Sequence, residues 1–376
     1  MIVLLILISL LAIHYIIFLI EIRKGLINLG KTPILNSSEK FISVIIPFKN
    51  ESESILTILS SLEEQNYPST KFEVIFVDDH STDETFRLLN ENIKPENFRV
   101  LRNEASSEIN AGKKTAIETG IKNAIGEIIL LTDADCIVPV NWMKTMTEYF
   151  SEDVGMVAGP VIFNEGNSLF GGFQKLEFAG IILASAGLIG YGKPTTCSSA
   201  NLAFTRKAFN EVDGYQGVEK FSSGDDEFLM QKIHNQTDYK IAYSFNKHAV
   251  VATTANSTVK NFFNQRSRWA SKGFHYLNKG LTLKLILIFL FYLSLPVQLI
   301  CGIAVDNIYL ISLDLAFSAK MIFEFRVMVF GNDILFDRLS VKNFIAAQLI
   351  QIPYVIIAPI FGTFGKVKWK GKRYKK

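Results

Sequence analysis

The chain has 376 residues, enough for one large domain or for a medium domain with additional elements. Its net charge of +3 is small, and the excess collects at residues 366–376 beside an apolar segment, which favours a positive flank at a membrane over a nucleic-acid-binding surface. The three cysteines share no metal-ligand spacing and predict no disulfide framework, which suits a reducing compartment.

Residues 1–22 predict an N-terminal transmembrane helix. Residues 1–20 contain no Asp, Glu, Lys or Arg, and about 20 apolar residues in helical form span a bilayer core. A cleaved signal peptide is the alternative, but no positive residues precede the run and no small-residue cleavage site ends it. Arg23, Lys24 and Lys31 follow, so the positive-inside bias predicts a cytosolic location for the next part of the chain.

Residues 40–275 have the mixed charge and short apolar runs of a soluble α/β domain. Strand patterns alternate with helix patterns, and we expect Asn50 to cap the first of these helices. The alternation predicts a mostly parallel sheet with helices on both faces, in which ligands bind beyond the carboxyl ends of the strands. The predicted strands lie at 42–47, 72–77, 98–101 and 127–131.

Two acidic turns follow predicted strands. Asp78 and Asp79 end the second strand, and Asp133 and Asp135 follow the fourth. Neither a Gly-x-Gly-x-x-Gly nor a Walker-type loop is present to hold phosphate. Carboxylates repel phosphate unless a divalent cation lies between them, and Mg²⁺ or Mn²⁺ prefers oxygen ligands. The pattern therefore predicts Mg²⁺ or Mn²⁺ at Asp133 and Asp135, although an isolated Asp-x-Asp is more often a solvated turn or a helix cap.

Together these segments resemble the family-2 glycosyltransferases, an inverting family with the GT-A nucleotide-sugar-binding fold. The resemblance covers about residues 42–275, with the motifs in the family's order. Residues 43–51 resemble the opening strand and loop, and residues 77–85 resemble the turn that contacts the nucleotide base and ribose. Gly112-Lys113 resembles the segment before the metal motif, and Thr132-Asp133-Ala134-Asp135 resembles the metal motif itself.

Two further motifs follow downstream. Gly224-Asp225-Asp226-Glu227 lies where relatives carry an acidic pair with the catalytic base; the common form is Glu-Asp, so alignment on the glycine favours Asp226 and leaves Asp225 open. Residues 265–269 match the Gln-x-x-Arg-Trp motif of membrane-bound members. The resemblance implies an acceptor contact for Trp269 and donor contacts for Pro47, Asp78, Asp79, Lys113, Asp133, Gln265 and Arg268.

Plainer readings of three of these residues stay open. On a helix Gln265, Arg268 and Trp269 share one face, and a guanidinium fork suits a diphosphate. However, Arg268 also fits a positive flank and Trp269 an interfacial aromatic beside the next membrane segment. Lys113 also fits a surface charge at the start of a helix.

Residues 281–365 predict a C-terminal membrane region of two or three spans, followed by the basic tail at 366–376. Leu285–Ile303 and Phe344–Phe364 are apolar, whereas Ile308–Phe330 carries four charged residues. Three crossings would place the lysine-rich tail outside, so we expect two crossings and an amphipathic interfacial helix within 318–340. Glycines and charges break the apolar run Phe170–Tyr191, which predicts a helix packed on the catalytic domain or lying at the membrane surface.

These features predict a metal-dependent glycosyltransferase in the cytoplasmic membrane with a cytosolic catalytic domain, and homo-oligomers stay open. The resemblance implies a UDP-linked donor sugar and a lipid or glycan hydroxyl as acceptor. Few predicted spans favour single transfer over a processive polysaccharide synthase, which needs helices to line a channel. An inactive scaffold is disfavoured because Asp79, Asp135 and Asp226 are all present. A nucleotidyltransferase is disfavoured because Phe48-Lys49-Asn50-Glu51 replaces the expected glycine- and arginine-rich loop.

Overall fold

The computed structural model describes residues 1–31, 40–103, 112–164, 168–218, 224–273, 275–336, 340–364, 368–369 and 372–373. The helices are α1 Ile2–Leu29, α2 Ile55–Glu63, α3 Thr85–Asn92, α4 Lys113–Asn123, α5 Trp142–Thr147, α6 Leu169–Gly190, α7 Arg206–Glu211, α8 Asp225–Gln236, α9 Val259–Ala270, α10 Lys279–Ala304, α11 Ile308–Leu335 and α12 Val341–Phe364. The strands are β1 Ile42–Phe48, β2 Phe72–Asp78, β3 Phe98–Arg102, β4 Ile128–Leu131, β5 Cys136–Ile137, β6 Val154–Ala158, β7 Val161–Asn164, β8 Leu202–Thr205, β9 Lys240–Tyr243, β10 Val251–Thr254, β11 Lys368–Trp369 and β12 Lys372–Arg373.

A seven-stranded sheet in the order β3-β2-β1-β4-β8-β6-β9 forms the centre of the soluble domain. The first four strands in this order pair in parallel, as β6 and β9 do, whereas β8 is antiparallel to both of its neighbours. Every residue of β1 and β2 is buried, as expected for central strands covered on both faces. The structure confirms the predicted mostly parallel α/β fold.

A small sheet holds the second acidic turn in place. Its order is β5-β10-β7, and β5 follows the turn directly after β4. Because β4 belongs to the large sheet and β5 to the small one, Asp133 and Asp135 lie where the two sheets meet. The turn is therefore fixed at both ends by strand pairing.

The expected helix cap at Asn50 is wrong. Ser54 precedes α2, and the Asn50 backbone has a left-handed conformation with φ of 53°. Its side-chain Oδ1 instead accepts a hydrogen bond of 2.8 Å from the backbone N–H of Thr82. Asparagine tolerates this backbone conformation better than most residues, so Asn50 joins the two loops that follow β1 and β2.

Four helices of the described chain are long and apolar enough to cross a membrane: Ile2–Leu29, Leu169–Gly190, Lys279–Ala304 and Val341–Thr363. The second of these is α6, which is a helix as predicted and packs on the soluble domain through stacking of Phe178 on Phe163. It also packs tightly on α1, since a Cβ added at Gly187 would lie 2.5 Å from the backbone oxygen of Ile22.

The interfacial helix predicted within 318–340 stays a prediction, but two of the charged residues of this stretch are buried. Lys320 is fully buried and Glu324 is 8% exposed, and they form an ion pair of 3.0 Å one helical turn apart. The exposed residues of this stretch include the apolar Ile322 and the charged Arg326 and Asp333. Counting charges along the sequence missed that two of them pair inside the helix bundle. Residues 337–339 and most of the basic tail lie outside the described residues.

Candidate functional site

A cavity of about 470 Å³ lies at the carboxyl ends of the parallel strands, where both acidic turns meet the start of α8 and the end of α9. All the predicted site residues except Asp78 line this cavity: Pro47, Asp79, Lys113, Asp133, Asp135, Asp225, Asp226, Gln265, Arg268 and Trp269. Elements far apart in the sequence thus bring the predicted residues together.

The two carboxylates of the first acidic turn, those of Asp78 and Asp79, have different surroundings. Asp78 is buried, and its Oδ1 accepts a hydrogen bond of 2.8 Å from the N–H of Ser81, which shapes the turn. Asp79 lines the cavity, and its Oδ1 accepts a hydrogen bond of 2.9 Å from the side-chain amide of Asn103. Asp79 therefore belongs to the lining of the cavity and Asp78 does not, and the donor contacts of both residues stay predictions.

Lys113 connects the second acidic turn with α8. Its Nζ lies 2.5 Å from Asp133 Oδ1, 2.6 Å from Ser199 Oγ and 3.5 Å from Asp225 Oδ2. Burial lowers the pKa of Lys113, but Asp133 and Asp225 raise it by more, so the net change is upward. The cavity therefore contains a positive charge at the place where two carboxylates meet.

Asp133 and Asp135, the predicted ligands of a divalent cation, both line the cavity. Burial raises the pKa of Asp133; Lys113 opposes this change and the charge of Asp135 adds to it. Asp135 Oδ2 accepts a hydrogen bond of 3.4 Å from the hydroxyl of Thr253. Within the described residues, no group of three or more His, Cys, Asp or Glu side chains could hold a metal ion. A cation on this turn would therefore need further oxygen ligands, which a diphosphate supplies.

Asp225 and Asp226 begin α8 but have different surroundings. Burial raises the pKa of Asp225, but Lys113 and Lys114 lower it by more, so the net change is downward. The pKa of Asp226 is raised by burial, with Lys272 opposing this and Asp225 adding to it. Asp226 Oδ2 accepts a hydrogen bond of 3.1 Å from the backbone N–H of Ser199. The pKa values of these two adjacent carboxyl groups are thus shifted in opposite directions.

Three further cavity residues had no role in the sequence analysis. Glu227 forms an ion pair of 2.7 Å with Lys272 and accepts a hydrogen bond of 3.1 Å from the hydroxyl of Tyr276. All three line the cavity. Their position in the sequence was the available signal, because Glu227 follows the acidic pair and Lys272 comes three residues after Trp269.

Gln265, Arg268 and Trp269 occupy one face of α9 towards the cavity, as their spacing predicts. Gln265 Oε1 accepts hydrogen bonds from Asn256 Nδ2 at 2.9 Å and from the Arg266 guanidinium at 2.5 Å. The Arg266 guanidinium carbon also lies 4.3 Å from the centroid of the Trp269 ring. Surrounding side chains therefore hold Gln265 and Trp269 in place.

An apolar wall faces these polar groups. Phe163 of β7 and Phe178, Ile181 and Ile182 of α6 line the same cavity. The cavity is therefore polar at the sheet edge and apolar along α6. Helix α6 is also one of the four membrane-compatible helices.

Comparison with known proteins gives a consistent result. Residues 43–213 match the family described as Glycosyl transferase family 2. The chain is 30% identical over 237 residues to a poly-beta-1,6-N-acetyl-D-glucosamine synthase of Staphylococcus epidermidis, covering 62% of this chain and 54% of the relative. It is 31% identical over 265 residues to the synthase of the same name from Staphylococcus aureus strain COL, covering 69% and 60%. The chain thus spans a little over half the length of these relatives.

A solved structure shares the fold over nearly the whole chain. It is the mannosyltransferase PcManGT from Pyrobaculum calidifontis, in complex with GDP-Man and Mn²⁺. The TM-score is 0.59 at 19% sequence identity, and the match covers 96% of this chain and 98% of that one. At this identity the match shows a shared fold.

Proposed function

Because the chain belongs to glycosyltransferase family 2 and has the GT-A fold, we propose that it transfers a sugar from a nucleoside-diphosphate sugar to a hydroxyl acceptor, with inversion at the anomeric carbon. The observation that carries the proposal is one cavity that combines a carboxyl group of raised pKa, a turn with two carboxylates, and the cations Lys113 and Arg268. A base, a cation site and phosphate partners are the groups that this displacement requires.

Asp226 is the proposed base. A general base works best when its pKa lies close to the working pH, and burial together with Asp225 raises the pKa of Asp226 although Lys272 opposes this. Asp225 is the poorer candidate, because Lys113 and Lys114 outweigh burial and lower its pKa. Asp226 would accept the proton of the acceptor hydroxyl while the oxygen of that hydroxyl attacks the anomeric carbon.

The leaving nucleoside diphosphate is proposed to bind beside Lys113 and Arg268. Their positive charges offset the negative charge that the diphosphate gains as the sugar leaves, and the guanidinium fork can pair with two phosphate oxygens. Asp133 and Asp135 would hold Mg²⁺ or Mn²⁺. That ion would neutralise part of the diphosphate charge.

Pro47 and Asp79 are proposed to contact the nucleoside part of the donor. Both line the cavity after β1 and β2, the edge of the sheet at which nucleotides bind in α/β folds. A UDP-linked sugar is the proposed donor class. The name of the staphylococcal relatives makes UDP-N-acetylglucosamine the first donor to test.

The acceptor is proposed to be the hydroxyl group of a membrane lipid or of a lipid-linked glycan. The apolar wall on α6 suits the lipid part of such an acceptor, while Trp269 suits a sugar ring. A processive polysaccharide synthase is the second candidate, favoured by the names of the staphylococcal relatives. The chain is a membrane protein, and we propose that it lies in the cytoplasmic membrane with its cavity on the cytosolic side.

Donor turnover tests the proposal. Detergent-purified protein is incubated with UDP-N-acetylglucosamine, other UDP-sugars or GDP-mannose, a membrane-lipid extract, and either Mg²⁺, Mn²⁺ or EDTA. We expect release of nucleoside diphosphate with at least one donor and one of the two ions, and none in EDTA. A labelled product of lipid size supports single transfer, and a long polymer supports the processive alternative. Absence of both turnover and donor binding would favour an inactive scaffold.

A further inference from the structure

A series of buried polar contacts links α12, the last helix of the described residues, to the motif face of α9. We propose that Glu177, Arg266 and Tyr354 are positioning residues through which this membrane-compatible helix sets the geometry of Gln265 and Trp269. None of the three lines the cavity. The inference rests on the proposed function, because it assigns Gln265 and Trp269 to the site of that reaction.

The central contact is a buried ion pair between α9 and α6. Arg266 Nε donates to Glu177 Oε1 at 3.1 Å, and Arg266 Nη2 donates to Glu177 Oε2. The two residues are 4% and 9% exposed. A two-pronged pair of this kind fixes orientation as well as distance, and removing one partner leaves the other buried without compensation. The position of α9 relative to α6 is therefore fixed at Arg266.

Helix α12 adds a further contact to this ion pair. The Tyr354 hydroxyl donates a hydrogen bond of 2.6 Å to Glu177 Oε1. The Tyr354 ring meets Phe262 of α9 edge to face at 5.6 Å between centroids and Phe173 of α6 at 6.3 Å. One tyrosine thus contacts both helices that supply the ion pair.

The effect reaches the cavity through Arg266. Its Nη1 donates to Gln265 Oε1 at 2.5 Å, and its guanidinium carbon lies 4.3 Å from the Trp269 ring centroid. Asn256 holds the same Gln265 oxygen and is itself bonded to Gln174 of α6. A displacement of the guanidinium would therefore move two cavity residues together.

The backbones of α12 and α9 also approach closely. A Cβ added at Gly362 would lie 2.4 Å from the backbone oxygen of Ser267, the residue between Arg266 and Arg268. Glycine removes the side chain that would separate the two helices. This contact is independent of Tyr354 and lies beside the same motif. Helix α12 is accordingly part of the scaffold of the cavity and does more than anchor the chain.

The test compares two tyrosine-to-phenylalanine variants of the full-length protein in detergent. Tyr354→Phe removes the hydroxyl that holds Glu177. Tyr292→Phe is the matched control, because its hydroxyl lies 3.1 Å from Glu324, a buried carboxylate that does not line the cavity. Hydrogen exchange is measured on the amides of α9, together with kcat and KM for the donor.

We expect Tyr354→Phe to accelerate exchange in α9 and to lower kcat about tenfold, because small misplacements of catalytic groups cost one to two orders of magnitude in rate. Tyr292→Phe should leave exchange in α9 unchanged and kcat within about twofold. Arg266→Lys, which keeps the charge but loses the fork, should act through the same contact. The variant with both Tyr354→Phe and Arg266→Lys should therefore have nearly the kcat of Arg266→Lys alone.

If the amides of α9 exchange at the same rate in Tyr354→Phe and Tyr292→Phe, the inference is overturned, whatever kcat the two variants have. Equal kcat of the two, in a wild-type protein that turns over donor, would overturn it as well. Failure of the proposed function would give a different result, namely no donor turnover by the wild type. The comparison of hydrogen exchange would then still decide whether α12 holds α9 in position.

Discussion

Asp225 and Asp226 are neighbours in the chain, yet Lys113 and Lys114 act mainly on the first and Lys272 on the second. Burial raises the pKa of Asp226, and Lys272 counteracts this. Since a base must be deprotonated, kcat/KM should fall as the pH falls through this raised pKa and level off above it. Lys272→Gln removes a charge that favours the carboxylate, so the acid limb should move to higher pH.

A pH–rate profile of the wild type and of Lys272→Gln checks this expectation. Circular dichroism controls for folding, because Lys272 also pairs with Glu227. An acid limb that stays in place or moves to lower pH in the variant would argue against Asp226 as the titrating base.

The sequence predicted most of the residues that line the cavity but not every contact between them. Motif spacing placed Gln265, Arg268 and Trp269 on one face because helical geometry depends on spacing alone. The pairing of Glu227 with Lys272 depends on a contact between distant segments. Such contacts leave no local pattern in one sequence.

At the scale of elements, the packing of α6 on α1 depends on glycine. A Cβ at Gly187 would lie 2.5 Å from the backbone oxygen of Ile22, whereas a Cβ at Gly180, on the same helix, would meet only Met328 Sδ at 3.6 Å. Gly187→Ala should therefore destabilise the protein by about 1–3 kcal/mol through overpacking.

Gly180→Ala is the matched control for this substitution. It should be neutral or stabilising, because alanine favours a helix by about 1 kcal/mol over glycine. Thermal unfolding of both variants in one detergent measures the difference. A similar midpoint for the two would mean that α1 and α6 do not approach as closely as described.

Helix α11 shows that the number of charged residues in a helix does not predict which of them are buried. Its charges suggested a surface helix, but Lys320 and Glu324 pair inside the bundle, and Glu324 also accepts hydrogen bonds from Tyr15 at 2.5 Å and Tyr292 at 3.1 Å. Glu324→Ala would leave Lys320 buried without its ion partner, at a cost of about 3–5 kcal/mol.

The double variant Lys320→Met/Glu324→Met removes both charges and should be more stable than Glu324→Ala. Thermal unfolding of the three proteins measures this order. A double variant less stable than the single one would show that the uncharged hydrogen bonds, and not the ion pair, carry the stability.

At the scale of the whole molecule, the core is continuous between the membrane-compatible helices and the sheet. One buried cluster includes Leu26 of α1, Ile45 of β1, Leu183 of α6 and Leu295 of α10. The sequence separated a soluble domain from membrane segments because hydropathy is a local property. How closely the two parts join could not be predicted, since it depends on α6, whose apolar run is interrupted by glycines and charges that face other elements.

The most direct measurement compares Asp226→Asn with Asp225→Asn, with donor turnover and donor affinity determined in the same preparations. Our account predicts that Asp226→Asn binds the donor nearly as the wild type does and loses turnover by about 10²-fold or more, as expected for removal of a general base. Asp225→Asn should retain more turnover. Full turnover by Asp226→Asn, at unchanged donor affinity, would contradict the claim that this cavity is an active site with Asp226 as its base.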